Sequence, residues 1–295
     1  LLNTGKGILV SITIGTNINS LIAQRNLRVA ANDLSKNYER LSSGLRINSP
    51  SDDAAGLALA ADLEADSRIA NVALRNANDG ISLTSIADSA LGEVSNVLNR
   101  MLELATQSAN GIITTSQRSA LSTEFLSLGS EIDRIAKTTT FNSFSLLSNG
   151  RSFAIQVGFN SSSNSQISIG QISGTLDSLG LAATGGSALT YSIISTSDTG
   201  SAFAASMALS AVQNAIGSLT VTRGTVAAAA ARLTSAVSYL EVARENFEAA
   251  VSRITDVDVA EEVAKMISNQ VKQDAATAVL AQANQSPKLV LELLK

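Results

Sequence analysis

The chain of 295 residues has no histidine, no cysteine and no tryptophan, and aromatic side chains make up 3% of it. Without His or Cys there is no Ser-His-Asp or Cys-His nucleophile arrangement, no imidazole or thiolate metal site and no disulfide. The absence of Cys is compatible with an oxidising exterior without requiring one. With so few aromatics, the 45% hydrophobic content is carried mostly by Ala, Leu, Val and Ile. Those residues suit long helices packed closely together better than the bulky core of a globular enzyme. No cofactor is expected. The adjacent carboxylates Asp52–Asp53 and Glu261–Glu262 lie beside helix starts or charged surface, so capping or a solvated face explains them better than acid–base chemistry.

The formal net charge is −4 and no basic block stands out, so nucleic acid is not an expected partner. No run of consecutive apolar residues approaches the ~20 of a membrane span, so no membrane is expected either. The N-terminus, LLNTGKGILVSITIG, lacks the ordered basic, apolar and small-residue regions of a cleaved signal.

What is present is helical periodicity interrupted at a few points. Ile14, Ile18, Leu21, Leu27, Ala30, Leu34, Leu41 and Leu45 recur at steps of three or four, or their sums, and predict an amphipathic helix. The stretch LSSGLRINSPSDDAAGLALA, 41–60, then breaks the pattern. Gly44 can end a helix, Pro50 pushes Ser49 out of helical geometry, and Ser51, Asp52 and Asp53 offer oxygens to a helix beginning near Ala54. That helix is expected to run to Asn110-Gly111, with Leu91, Val94, Leu98, Met101 and Ala105 as a heptad-like seam. A further helix carries Leu121, Phe125, Leu128, Ile132 and Ile135. Phe153, Ile155, Val157 and Phe159 alternate as a strand does, after a turn at Asn149-Gly150. Residues 160–202 are rich in Ser, Gly, Thr and Asn and read as surface loops and small strands.

Helical pattern returns from Ala204 to Ile254, with Leu233, Val237, Leu240, Phe247, Val251 and Ile254 in alternation. Asp256 and Asp258 interrupt it. A last helix carries Val259, Val263, Ile267 and Val271 every four residues, continues through Leu280, and is followed by Pro287 and an apolar tail containing Leu291 and Leu294. The fold class expected is mainly α: a long antiparallel helical bundle or coiled coil of N- and C-terminal segments, with a β-hairpin and a small variable Ser/Gly/Thr-rich insert.

The stretch SSGLRINSPSDDAAGLA closely resembles the signature after the first helix of bacterial flagellins, and VLAQANQ, 279–285, resembles the C-terminal one. Both occur, in the right order, at opposite ends. The resemblance covers roughly residues 11–160 and 203–295. It implies a subunit that polymerises into the flagellar filament for motility, exported through the flagellum's own type III channel and resident outside the cell. Residues 11–45 and 259–295 would form an inner coiled-coil tube. Residues 46–160 and 203–258 would form a surrounding helical domain with a β-hairpin near 141–159, and 161–202 a short variable surface region. Residues 1–10 would be an upstream extension foreign to the native protein, since SITIGTNINSLIAQRNL from Ser11 matches the family's start. The zinc-peptidase insert of some flagellins is excluded by the lack of His.

The partners implied are further copies of the protein, an export chaperone at the C-terminal segment, hook-associated junction and cap proteins, and Toll-like receptor 5 of a vertebrate host. The segment LNRMLELATQSAN, 98–110, resembles the part read by that receptor, with Arg100, Leu104, Gln107 and Glu124 as contact candidates. Leu102 departs from the Arg common there. Leu104 is equally well explained as packing.

Physical reasoning also points toward assembly. The terminal stripes Ile14, Ile18, Leu21, Leu27, Leu34 and Leu41, and Val259, Val263, Ile267, Val271, Leu280, Leu291 and Leu294, have no partner nearby in sequence. A lone pair of ~30-residue helices is marginal in water. Burial at ~25 cal/mol per Å² must first offset ~1–2 kcal/mol of backbone entropy per residue. Many copies side by side remove that shortfall, and an open head-to-tail contact with a repeating rotation generates a filament. The ends are therefore expected to be largely disordered in the free protein and to order on assembly. A hook–filament junction protein and another type III-secreted coiled-coil protein are the alternatives to a filament subunit.

Overall fold

In the computed structural model, residues 16–293 are described, without the side chains of Asp198 and of 286–293. Five long helices dominate: α1 (Ile18–Ser43), α2 (Ala54–Ala109), α3 (Thr115–Thr138), α4 (Asp198–Thr255) and α5 (Val259–Leu293). The short strands are β1 (Thr140–Phe141), β2 (Phe144–Ser145), β3 (Phe153–Gln156) and β4 (Gln166–Ile169). The molecule divides into two compact units, residues 1–64 with 247–295 and residues 65–246. Those boundaries fall inside α2 and α4.

In the first unit, α1 pairs with α5. Gly44, at φ 74°, closes α1 in the left-handed conformation that glycine adopts without a steric penalty. Asp53 accepts from Gly56 N at 2.9 Å and so starts α2, as the sequence predicts. Asp52 does a different job, accepting from the Asn48 and Ser49 amides and holding the spacer loop in a turn. The two helix breaks meet in an antiparallel bridge, with Arg46 N donating to Thr255 O (2.6 Å) and Val257 N to Gly44 O (3.0 Å).

In the second unit, buried positions on α2 step three and four without a break from Ala70 to Ser108. They are small in the first half (Ala70, Ala73, Ala77, Gly80) and large in the second (Leu91, Leu98, Met101). Along α4 the buried large residues Val212, Leu219, Val226, Leu233 and Leu240 recur every seven residues. The helices run antiparallel, since Arg223 donates twice to Asp88 (2.9 and 3.2 Å) and Arg244 donates to Asn71 (3.1 Å). Gly80 lies under Leu233, whose Cδ1 is 3.0 Å from where a Cβ would be. Large residues of one helix thus fill the space left by small residues of the other. By length and composition α4 is long and apolar enough to cross a membrane, although it has no long run of consecutive apolar residues. Val212, Leu219, Val226, Leu233 and Leu240 serve this seam, while Phe203, Met207, Val221, Tyr239 and Val242 of the same helix are exposed.

A capping box of Thr114 and Gln117 starts α3, which lays Phe125, Ile132 and Ala136 into the same core. Arg118, fully buried, donates to Ser108 O at 3.0 Å and Asn110 O at 2.8 Å, satisfying carbonyls at the end of α2.

The expected hairpin becomes two. β1 and β2 close on Asn142 and Ser143, both at positive φ. β3 pairs with β4, Phe153 opposite Ile169, so its partner strand lies beyond the expected end of the hairpin at residue 159. The reading of 161–202 as a surface region is corrected as well. Ile169, Ile172, Leu176, Leu181 and Ile193 from this segment are buried in the core cluster. Ser108 Oγ donates to Ile193 O at 2.8 Å, and Gly129 of α3 has no Cβ where Leu189 lies.

Candidate assembly surface

The α1–α5 pair is antiparallel. Near one end Asn17 Nδ2 donates to Ala283 O at 2.7 Å and Ser20 Oγ to Asn284 Oδ1 at 2.8 Å. Farther along, Asn37 Nδ2 donates to Glu262 Oε1 at 2.5 Å, and Asn269 Nδ2 to Asn37 Oδ1 at 2.9 Å. Arg40 lies 3.9 Å from both Glu262 and Asp52. The seam on α1 is Ser20, Ala23, Leu27, Ala30, Leu34, Asn37 and Leu41, and on α5 it is Glu262, Met266, Asn269, Gln273, Ala276 and Leu280.

This divides the sequence-predicted stripe residues into two sets. Leu27, Leu34 and Leu41 turn toward α5, and Val263 and Leu280 are half-buried. Ile18 and Leu21 are 60% and 55% exposed and join Ile22 and Val29 on the side of α1 opposite the seam. Val259, Ile267 and Val271 are each more than half exposed, as is Val279. Ile267 and Val271 face away from the seam. A spacing of four rotates the position by about 40° per step, so Val259, Val263, Ile267 and Val271 drift around the helix and cannot share one seam. Ile14 and Leu294 lie outside the described residues, and Leu291 is placed only as part of the α5 backbone. Contrary to the expectation of disordered free ends, the described parts of both ends are helical in the single molecule, because each supplies the other's partner.

The receptor candidates also separate. Arg100 donates to Glu124 at 2.9 Å and to Glu103 at 2.8 Å on an exposed face. The Glu124 bond and then the Glu103 bond hold the Arg100 guanidinium above its ordinary pKa. Gln107 is exposed on the same helix. Leu104 is 1% exposed and packs in the core cluster, so it does not belong to that surface. Among the described residues there is no group of three or more His, Cys, Asp or Glu that would hold a metal ion.

Paired helices whose seam is satisfied internally, yet whose outer faces carry unpartnered Ile, Leu and Val, define a helical structural protein. The chain belongs to the bacterial flagellin family: residues 14–151 match the bacterial flagellin N-terminal helical region and residues 209–294 the C-terminal helical region. It is 38% identical over 282 residues to a flagellin of Halalkalibacterium halodurans, covering 96% of this chain and 99% of that one. It is 42% identical over 173 residues to flagellin B of Vibrio cholerae, covering 58% of this chain and 46% of the relative. For flagellin A of the same species the identity is 49% over 138 residues, and the match spans 36% of that protein. The chain thus spans less than half the length of these Vibrio relatives. A crystal structure of Bacillus cereus flagellin is similar at 28% identity and a TM-score of 0.46, over 56% of this chain and 88% of that one. The family is one of structural proteins, not enzymes.

Proposed function

We propose that this protein is a structural subunit that polymerises with copies of itself into the extracellular flagellar filament, is exported by the flagellar type III system and serves motility. The observation that carries the reading is the double-sided α1–α5 pair. One face of each helix is used within the molecule, while Ile18, Leu21, Ile22 and Val29 on α1, and Ile267 and Val271 on α5, are left to solvent. Exposed apolar stripes of this kind are costly unless neighbours cover them. Residues 11–45 and 259–295 act as the inner tube of the assembly, and an outer helical domain surrounds it. Purified protein, salted and seeded, should grow into filaments visible by electron microscopy. A folded protein that stays monomeric under those conditions defeats the reading.

The partners of this function are an export chaperone that covers the C-terminal segment before assembly, and the hook-associated junction and cap proteins at the ends of the filament. Toll-like receptor 5 reads the Arg100, Gln107 and Glu124 surface of the monomer, and assembly covers it. The triple variant Arg100→Ala, Gln107→Ala, Glu124→Ala should lose receptor activation while keeping the monomer's helical signal. Leu104 is left intact, because emptying a core position would confuse the result with unfolding. Undiminished activation by the triple variant refutes the assignment.

A further inference from the structure

The structure assigns a self-modification site to the loop between α2 and α3: we propose that Asn110 deamidates through attack by Gly111, at a rate set by three hydrogen bonds the fold supplies. The Asn-Gly dipeptide is the starting point, since no Cβ shields the nucleophile. A Cβ on Gly111 would meet nothing within 4 Å, and Asn110 and Gly111 are both exposed. The Gly111 N–H has no hydrogen-bond acceptor among the described residues, so it is free to react.

Three contacts activate the reaction. Ile112 N donates to Asn110 Oδ1 at 3.3 Å. That oxygen gains negative charge when Cγ becomes tetrahedral, so a backbone donor already aimed at it lowers the barrier. A guanidinium nitrogen of Arg118 donates to Asn110 O at 2.8 Å, and Ile113 N donates to the same oxygen at 3.3 Å. This carbonyl belongs to the peptide bond whose nitrogen is the Gly111 nucleophile. A buried guanidinium on the oxygen withdraws electron density and favours loss of the Gly111 amide proton. The buried Arg118 also holds the loop in place, so these contacts persist together.

The balance is simple. The deprotonated Gly111 nitrogen attacks Asn110 Cγ and a new bond forms between them. The bond from Cγ to Nδ2 breaks, and that nitrogen leaves as ammonia with the proton lost from Gly111. The resulting five-membered succinimide takes up one water and opens either to aspartate or to isoaspartate, in which the backbone runs through the former side group. No oxidant or co-reactant other than water is needed. Each event adds one negative charge to a protein of formal charge −4.

An internal control is present. Asn149-Gly150 is a second Asn-Gly pair, but no donor among the described residues reaches the Asn149 amide group or its backbone carbonyl, and Gly150 sits at φ 56°. The test is to incubate the full-length protein at neutral pH and quantify Asp and isoAsp at both sites by peptide mass spectrometry, folded and in denaturant. Folded, Asn110 should convert faster than Asn149 by on the order of tenfold, and the advantage should vanish in denaturant. The folded Arg118→Lys variant, checked by circular dichroism, should lose part of it. The Gly111→Ala variant, which the open space tolerates, should slow Asn110 alone. Equal or slower conversion at Asn110 than at Asn149 in the folded protein overturns the proposal, as does an advantage that survives in denaturant.

Discussion

Asn37 and Glu262, 225 positions apart in sequence, share a 2.5 Å hydrogen bond inside the α1–α5 seam, where they are 5% and 3% exposed. Their neighbours along the seam are Leu34, Leu41 and Met266, and farther from them it narrows to Ala23, Ala30 and Ala276. The polar pair is therefore the most specific contact between the two ends. A buried polar contact of this kind fixes alignment at a cost in stability.

Removing one partner should be worse than removing both. Asn37→Leu leaves the Glu262 carboxylate buried with its nearest cations 3.9 Å away, Arg40 and Lys265. The expected loss is about 1–3 kcal/mol from the terminal pair, the cost of a buried acceptor that loses its donor. Asn37→Leu with Glu262→Leu should recover part of that loss, because no buried carboxylate then lacks its donor, although Asn269 Nδ2 still loses Asn37 Oδ1. Denaturant unfolding followed by circular dichroism of the full-length protein measures both. A double variant no better than the single one would show that the pair is not what the seam depends on.

The segment 161–202, read from composition as surface, should prove indispensable to the second unit. Replacing it with a short Gly/Ser linker removes Ile169, Ile172, Leu176, Leu181 and Ile193 from the core and strands Ser108 without Ile193. Emptying one such position typically costs about 2–5 kcal/mol, so removing five at once should abolish cooperative melting. A linker variant that melts at the parent's midpoint would restore the view that this segment is an appended surface element.

Acid should loosen the spacer loop between α1 and α2. The Ser49 amide, then the Asn48 amide, hold the Asp52 carboxyl below its ordinary 3.8. A lowered folded pKa means a contribution fully present above the unfolded value and lost as pH falls through the folded one. The stability difference between parent and Asp52→Asn should thus be constant above about pH 4, shrink below it and vanish in stronger acid. A difference that persists unchanged under strong acid would remove Asp52 from this role.

The parts readable in the sequence are those where large apolar residues keep a strict period. The α2 seam from Leu91 to Ala105 is visible because one large residue falls on nearly every turn, and each of these positions is fully buried. The first part of the same seam, Ala70 to Gly80, is not, because Ala and Gly carry no contrast against an Ala-rich background. On α5 the contrast misleads: Val259, Val263, Ile267 and Val271 stand out, while the true seam holds Glu262, Asn269 and Gln273. Polar seam residues cannot be found by hydrophobic periodicity. Nor can loop residues such as Ile172 and Ile193, whose partners lie far away in sequence. At the candidate surface, Leu104 sits on the same helix as Arg100 and matches the same motif, and only burial separates its role from that of Arg100.

The ends should be the least stable part of the molecule, and filament formation should depend on them. Their seam buries mainly Ala, Ser, Asn and single Leu residues, so each turn returns little of the ~1–2 kcal/mol of backbone entropy per ordered residue. The second unit has a continuous core from Ala77 to Leu233, which is internal and independent of neighbours. Local opening should therefore begin at the α1–α5 pair, at a free energy well below that of global unfolding. Limited proteolysis of the monomer should trim both ends and stop near Ala54 and Ile254. The remaining fragment should keep most of its helical signal and melt cooperatively, yet fail to polymerise, having lost Ile18, Leu21, Ile22, Val29, Ile267 and Val271. In assembled filaments the same ends should resist the protease, because neighbours then cover those side chains. Ends that resist cleavage in the monomer, or a trimmed fragment that still grows normal filaments, would defeat this account of what the terminal helices do.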